Sequence, residues 1–264
     1  MMRCASRVVR IIGLSVMAAL IAASPTLARA AETVACTAPS ELTRAGFSLP
    51  LLAKSLKEKT PTTILVLNST ASVAKKRAGE AGAEAVPRSF PSFIEETLKA
   101  RYPDGGIKVI TRNEPRRTAA AVAAALPKLL HEVKPALLIW QTGIYDAIYG
   151  ADAGDFSDAV TLGIDEAHAR GADIIMVGPQ FSPRTDFAFE VAPYNATLRW
   201  AARAAGVPFF DRYALMRFWD EDRIFDLDAV RPEPSLYENV HRCIGRLLIQ
   251  MIGDGVDTKT VGSR

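Results

Sequence analysis

A chain of 264 residues is long enough for one sizeable domain with a full core, and its 49% apolar and 23% charged content argues against general disorder. The formal charge of +3 becomes −1 once residues 1–30 are set aside, because they hold four of the 32 basic residues and none of the 29 acidic ones. That balance gives no reason to expect a nucleic-acid partner.

The chain opens with Arg3, Arg7 and Arg10, an apolar run from Ile11 to Ala23, and the small-x-small site Ala28-Arg29-Ala30. This reads as a secretory signal peptide over 1–30, cut after Ala30. The run is short for a bilayer span. A retained anchor is the alternative; after cleavage no stable membrane span is expected. Export, to a Gram-negative periplasm rather than the medium, follows as an expectation. An oxidising compartment would allow a disulfide between Cys36 and Cys243, pinning an N-terminal arm to the last helix; a pair of buried thiols is the other reading. The chain has three His and no Cys-x-x-Cys or His-x-x-x-His spacing, so neither a metal nor a cofactor is expected.

Residues 31–60 read as an arm, 61–252 as one domain and 253–264 as a polar tail. Within the domain, Thr62–Leu67 is an apolar run suited to a strand buried on both faces. Helical spacing covers Pro91–Ala100. Ile107–Ile110 predicts a short strand. Thr118–Val133 predicts a helix that Pro127 bends or splits. Ala136–Trp140 is a strand, Phe156–Arg170 a helix, and Ile174–Val177 a strand. Tyr194–Ala205 predicts a helix stopped by Gly206. Val207–Phe210 is the fifth strand, Tyr213–Trp219 a short helix, and Leu236–Ile252 the closing helix.

Five short buried strands alternating with helices predict an α/β fold, a three-layer α/β/α sandwich around a five-stranded parallel sheet. In such a fold the ligand sits at the C-terminal ends of the strands. The loops after Leu67, Ile110, Trp140, Val177 and Phe210 therefore matter most, together with the segment before the last helix.

Four landmarks in those places carry a resemblance. They are Trp140-Gln141-Thr142-Gly143, Pro179-Gln180-Phe181-Ser182-Pro183-Arg184, Ala214-Leu215-Met216-Arg217-Phe218-Trp219, and Arg242-Cys243. In order and spacing they resemble the SGNH, or GDSL, hydrolases over roughly Thr62–Ile252, and exported bacterial members in particular. The resemblance implies a flavodoxin-like hydrolase fold and esterase chemistry. That chemistry needs a Ser nucleophile after the first strand, Gly and Asn donors to an oxyanion, and an Asp-x-x-His before the last helix.

Carried over position by position, the family's pattern is mostly replaced. Its first Gly falls on Asn68 and its nucleophile on Thr70, with Ser69 one place before. Its second Gly falls within Thr111-Arg112-Asn113-Glu114-Pro115, which has no glycine. Gly143 is kept at the third block, but Tyr145 stands where Asn belongs. Asp-x-x-His falls on Pro232-Glu233-Pro234-Ser235. His241 lies six residues past the expected His, inside the closing helix, and reads as a packed residue. His131 ends a helix far from the site edge, and His168 reads as lying on the outer side of the third helix. Losing one triad member typically removes several powers of ten in rate, and here the set is gone.

The same loops carry cations: Lys75, Lys76 and Arg77 after the first strand, Arg112, Arg116 and Arg117 after the second. Pro115 reads as a helix start whose free N–H groups favour anions. Arg forks suit carboxylate, sulfate or phosphate. Asp146, Asp152 and Asp155 stand close enough in sequence to neutralise part of the patch. Tyr145, Tyr149 and Phe181 could stack on sugar rings or pack the loops. A solvated basic loop and a site for an anionic glycan or phosphorylated small ligand both fit. Three functions stay open: a non-catalytic binding or accessory factor of the cell envelope, an ester hydrolase improvised on Ser69 or Thr70, or a structural partner of an unknown protein. Replacement of the whole catalytic set favours the first.

Overall fold

A computed structural model describes residues 36–69, 87–230 and 233–257. Two helices, α1 (Ser40–Thr43) and α2 (Pro50–Lys57), precede the first strand, β1 (Thr63–Asn68). Then come α3 (Phe90–Arg101), β2 (Lys108–Asn113), α4 (Ala119–Ala123), α5 (Leu126–Val133) and β3 (Leu137–Gln141). The second half runs α6 (Ile144–Tyr149), α7 (Ala153–Ala169), β4 (Asp173–Val177), α8 (Pro183–Ala188), α9 (Val191–Ala204) and β5 (Phe209–Phe210). It closes with α10 (Arg212–Glu221) and α11 (Pro234–Val256).

The strands form one parallel sheet in the order β2-β1-β3-β4-β5. Side chains alternate across a strand, so each central strand feeds two cores. Leu65, Leu67, Leu138, Trp140, Ile174 and Met176 pack with α4, α5, α7 and α9 on one face. Ile64, Val66, Ile139 and Ile175 are equally buried on the other, where α3 and α11 pack on each other. The three-layer α/β/α sandwich read from the sequence is the fold observed.

Several boundaries move for physical reasons. Strand β2 runs past Ile110 to Asn113, because its backbone pairs with β1 up to Asn68. The expected helix over 118–133 is two helices, broken at 124–125 just ahead of Pro127, as a missing N–H requires. Helix α7 starts earlier, at Ala153, where the Asp152 carboxylate accepts from the Gly154 and Asp155 N–H groups. Helix α11 continues to Val256, and Leu49 donates its N–H to the Gly255 carbonyl at 2.8 Å. In the arm, Leu49 and Leu52 are fully buried, and the Leu52 N–H donates to the buried Asp173 carboxylate at 2.8 Å. Cys36 and Cys243 form a disulfide, with 5.1 Å between their Cα atoms. No helix among the described residues is long and apolar enough to cross a membrane.

Candidate functional site

The C-terminal ends of β1, β3 and β5 meet at one edge of the sheet and set three polar side chains in a row. Ser69 follows β1 and is 5% exposed. Gln141 ends β3 and is as deeply buried. Arg212 opens α10, one residue after the Asp211 that follows β5, and is 3% exposed. Arg212 donates from Nη1 to Gln141 Oε1 at 2.8 Å, and Gln141 donates from Nε2 to Ser69 Oγ at 3.2 Å. An arginine can only donate, so the glutamine oxygen must face Arg212 and its NH₂ must face Ser69. The hydroxyl is therefore met by a donor. An amide NH₂ cannot take up the proton that a serine must lose to become a nucleophile.

His241, on α11, is engaged with Phe90 and Tyr237. Its Nδ1 accepts the Phe90 N–H at 3.3 Å, which leaves the proton on Nε2. The ring stacks on Phe90 at 5.8 Å and leans on Tyr237 at 4.2 Å. Burial, with the Arg212 charge adding to it, pulls its pKa down to about 3. Such an imidazole is neutral at working pH and too weak a base for general-base catalysis. His131 and His168 lie just before β3 and β4, at the opposite end of the sheet, and both are exposed.

Gly143 keeps a left-handed backbone (φ 99°) at the start of α6, where a Cβ would come 3.3 Å from Leu198. Tyr145 is half-buried and lies 5.9 Å from the Tyr149 ring, tilted against it. Asn68, where the resemblance places the first glycine, and Asn113, within the segment 111–115 where it places the second, face each other with Nδ2 to Oδ1 at 3.4 Å.

The basic rim differs from its reading in sequence. Thr70, Lys75, Lys76 and Arg77 lie outside the described residues. Arg112 and Arg116 are exposed, Arg116 with a left-handed backbone at φ 64°. Arg117 is not free: it pairs with Glu114 at 2.9 Å and donates to the Ala121 carbonyl. Pro115 does not begin a helix. Helix α4 starts at Ala119 with Thr118 as its cap, and the Ala119 N–H already donates to the buried Asp146 carboxylate at 2.9 Å. Burial raises the Asp146 pKa, against the pull of that N–H. Asp146 and Asp152 thus serve helix starts instead of balancing the patch. Phe181 is buried edge-on against Tyr213 at 5.4 Å, which makes it packing and not a sugar platform.

Sequence reasoning passed over Gln141 and Arg212. Gln141 closes β3, and a polar residue ending an apolar run was the available signal; Arg212 opens α10 just beyond β5 and carries no such mark. Beside them opens a cavity of about 200 Å³ lined by Gln180, Arg212, Met216, Leu236, Tyr237 and His241 among others.

The model of the non-GDSL lipase-like family matches residues 35–258. Esterase TesA of Pseudomonas aeruginosa is 29% identical over 161 residues, 57% of this chain and 77% of that protein. Among solved structures, a variant of Axe2, an acetyl-xylooligosaccharide esterase from Geobacillus stearothermophilus, aligns with a TM-score of 0.57 at 18% identity. The alignment covers 73% of this chain and 94% of that one. LAE5, an alpha/beta hydrolase enzyme from the metagenome of Lake Arreo, Spain, aligns with a TM-score of 0.55 at 15% identity, over 74% of this chain and 96% of that one. At such identities the structural likeness speaks for the fold alone.

Proposed function

The chain belongs to the non-GDSL lipase-like family, and from that premise we propose that it is a member that no longer hydrolyses esters and instead binds an anionic ligand in the cell envelope. One observation carries the reading. The only hydrogen-bond partner of the Ser69 hydroxyl among the described residues is the Gln141 NH₂, itself fixed by Arg212. Among the described residues no acceptor meets it to activate it. The replaced Asp-x-x-His at Pro232-Glu233-Pro234-Ser235 and Tyr145 in place of Asn point the same way, as does the committed, weakly basic His241.

Export fits the same reading. Residues 1–30 act as a cleaved signal, and the Cys36–Cys243 disulfide suits an oxidising compartment such as the periplasm. The exposed Arg112 and Arg116 offer a rim for an acidic glycan or a phosphorylated group.

A second reading, an ester hydrolase using Ser69 or Thr70, has family membership in its favour. An activated serine or threonine is alkylphosphonylated by a reactive phosphonate ester, and the intact mass reports it. The proposal predicts no mass gain at neutral pH. A stoichiometric gain that is lost in Ser69→Ala or Thr70→Ala overturns it.

A further inference from the structure

Arg212 is the most buried cation described, and it has no counter-charge among the described residues. Its guanidinium has five N–H donors. Two are engaged: Nη1 with the Gln141 oxygen at 2.8 Å, and Nε with the Met216 sulfur, a weak acceptor, at 3.3 Å. The neighbouring carboxylate, Asp211, is committed elsewhere. It accepts from Asn195 at 2.9 Å, from the Ala214 N–H at 3.0 Å, and from Arg199. Burial pulls the Arg212 pKa down to about 10, so the group stays protonated at neutral pH. An unpaired charge in a protein interior is strongly unfavourable, and an anion placed against it relieves that.

Arg212 lines the cavity of about 200 Å³, so an anion has somewhere to sit. The remaining lining selects among anions. Met216, Leu227, Leu236 and Val240 give apolar walls, and Gln180, Tyr237 and His241 are polar groups of the lining. Asp226 stands exposed at the rim and disfavours a second negative charge. The volume is below that of pockets holding drug-sized ligands.

We propose that this cavity is a binding site for a small aliphatic monocarboxylate, its carboxylate paired with Arg212 and its chain lying against Met216, Leu227, Leu236 and Val240. This goes beyond the binding reading by naming a second ligand class and a place whose lining does not include Arg112 or Arg116. It makes no demand on Ser69.

The test uses the full chain without residues 1–30 and titrates sodium butyrate and hexanoate by calorimetry. Butyramide and inorganic phosphate serve as comparisons. Saturable binding of both carboxylates is expected, with butyramide and phosphate each weaker by at least about tenfold. Arg212→Met is expected to weaken carboxylate binding at least about tenfold. Because that variant removes a buried charge and can alter folding, Leu227→Trp is the second: it fills the cavity, leaves the Arg212–Gln141 bond in place, and is expected to block binding. Absence of saturable binding to the wild type overturns the proposal. So does binding that ignores both variants, or equal affinity for butyramide or phosphate. Ester turnover is read on the same samples. Turnover with carboxylate binding intact would sink the non-hydrolytic reading and leave this one standing; the reverse outcome would do the opposite.

Discussion

Gln141 donates to Ser69 across 3.2 Å while its oxygen is held by Arg212, so the side chain that meets the Ser69 hydroxyl delivers a proton donor and no base. That relationship predicts a specific stability pattern. Gln141→Leu leaves the buried Ser69 hydroxyl without its partner and the Arg212 guanidinium with only the weak Met216 sulfur acceptor. It should lower stability by about 2–4 kcal/mol. Combining it with Arg212→Met should recover much of the loss, since two apolar groups replace two polar ones. Urea midpoints of the two single variants and the double variant measure this; simple additivity would show that the two side chains do not act as a pair.

His241 gives a pH prediction. Its folded pKa is about 3, against an ordinary value of 6.5. As pH falls, the unfolded chain takes the proton first. The stability tied to a neutral His241 is complete above about pH 6.5 and is lost as pH falls from there through about 3, at up to about 1.4 kcal/mol per pH unit. His241→Gln keeps an acceptor for the Phe90 N–H and removes the titration. Its stability should fall less steeply across that window in pH-dependent urea unfolding. An unchanged slope would mean that His241 is not the group responsible.

The disulfide closes a loop of 207 residues between Cys36 and Cys243. The Cys36→Ala/Cys243→Ala double variant should lose about 2–4 kcal/mol in urea unfolding, and a reductant should produce the same shift in the wild type only. Loss confined to the arm, with a global midpoint unmoved, would argue that the bond holds only a local segment.

Gly163 and Trp140 are a tight fit. A Cβ on Gly163 would lie 2.2 Å from the Trp140 ring. Gly163→Ala gains about 1 kcal/mol of helix propensity, yet forcing apart a fully buried Trp should outweigh it. A net loss of about 1–3 kcal/mol is expected from thermal unfolding. A stabilised variant would show that helix α7 yields more easily than this packing implies.

The fold was legible where burial leaves a mark on composition. Thr62–Leu67, Ala136–Trp140 and Ile174–Val177 are apolar without alternation because both their faces are covered. The far end of β2 was not, because Thr111, Arg112 and Asn113 lie on an edge strand where backbone pairing to β1 is enough. The candidate motif positions could be read from resemblance to the family. The Ser69–Gln141–Arg212 row could not. Gln141 and Arg212 are 71 residues apart, and only the parallel order of β1, β3 and β5 turns three chain segments into neighbours. That Arg212 is buried is a tertiary property with no local signature. The Arg117–Glu114 pair was the opposite case, a three-residue spacing visible in the sequence that removes one cation from the apparent patch.

The central claim is that this site does not hydrolyse esters, and the direct test is turnover of short-chain p-nitrophenyl esters and acetylated sugars by the purified chain beside a Ser69→Ala/Thr70→Ala double variant, both checked for fold by circular dichroism. The account predicts that the two proteins are equally inert. Turnover by the wild type that vanishes in the double variant would contradict it.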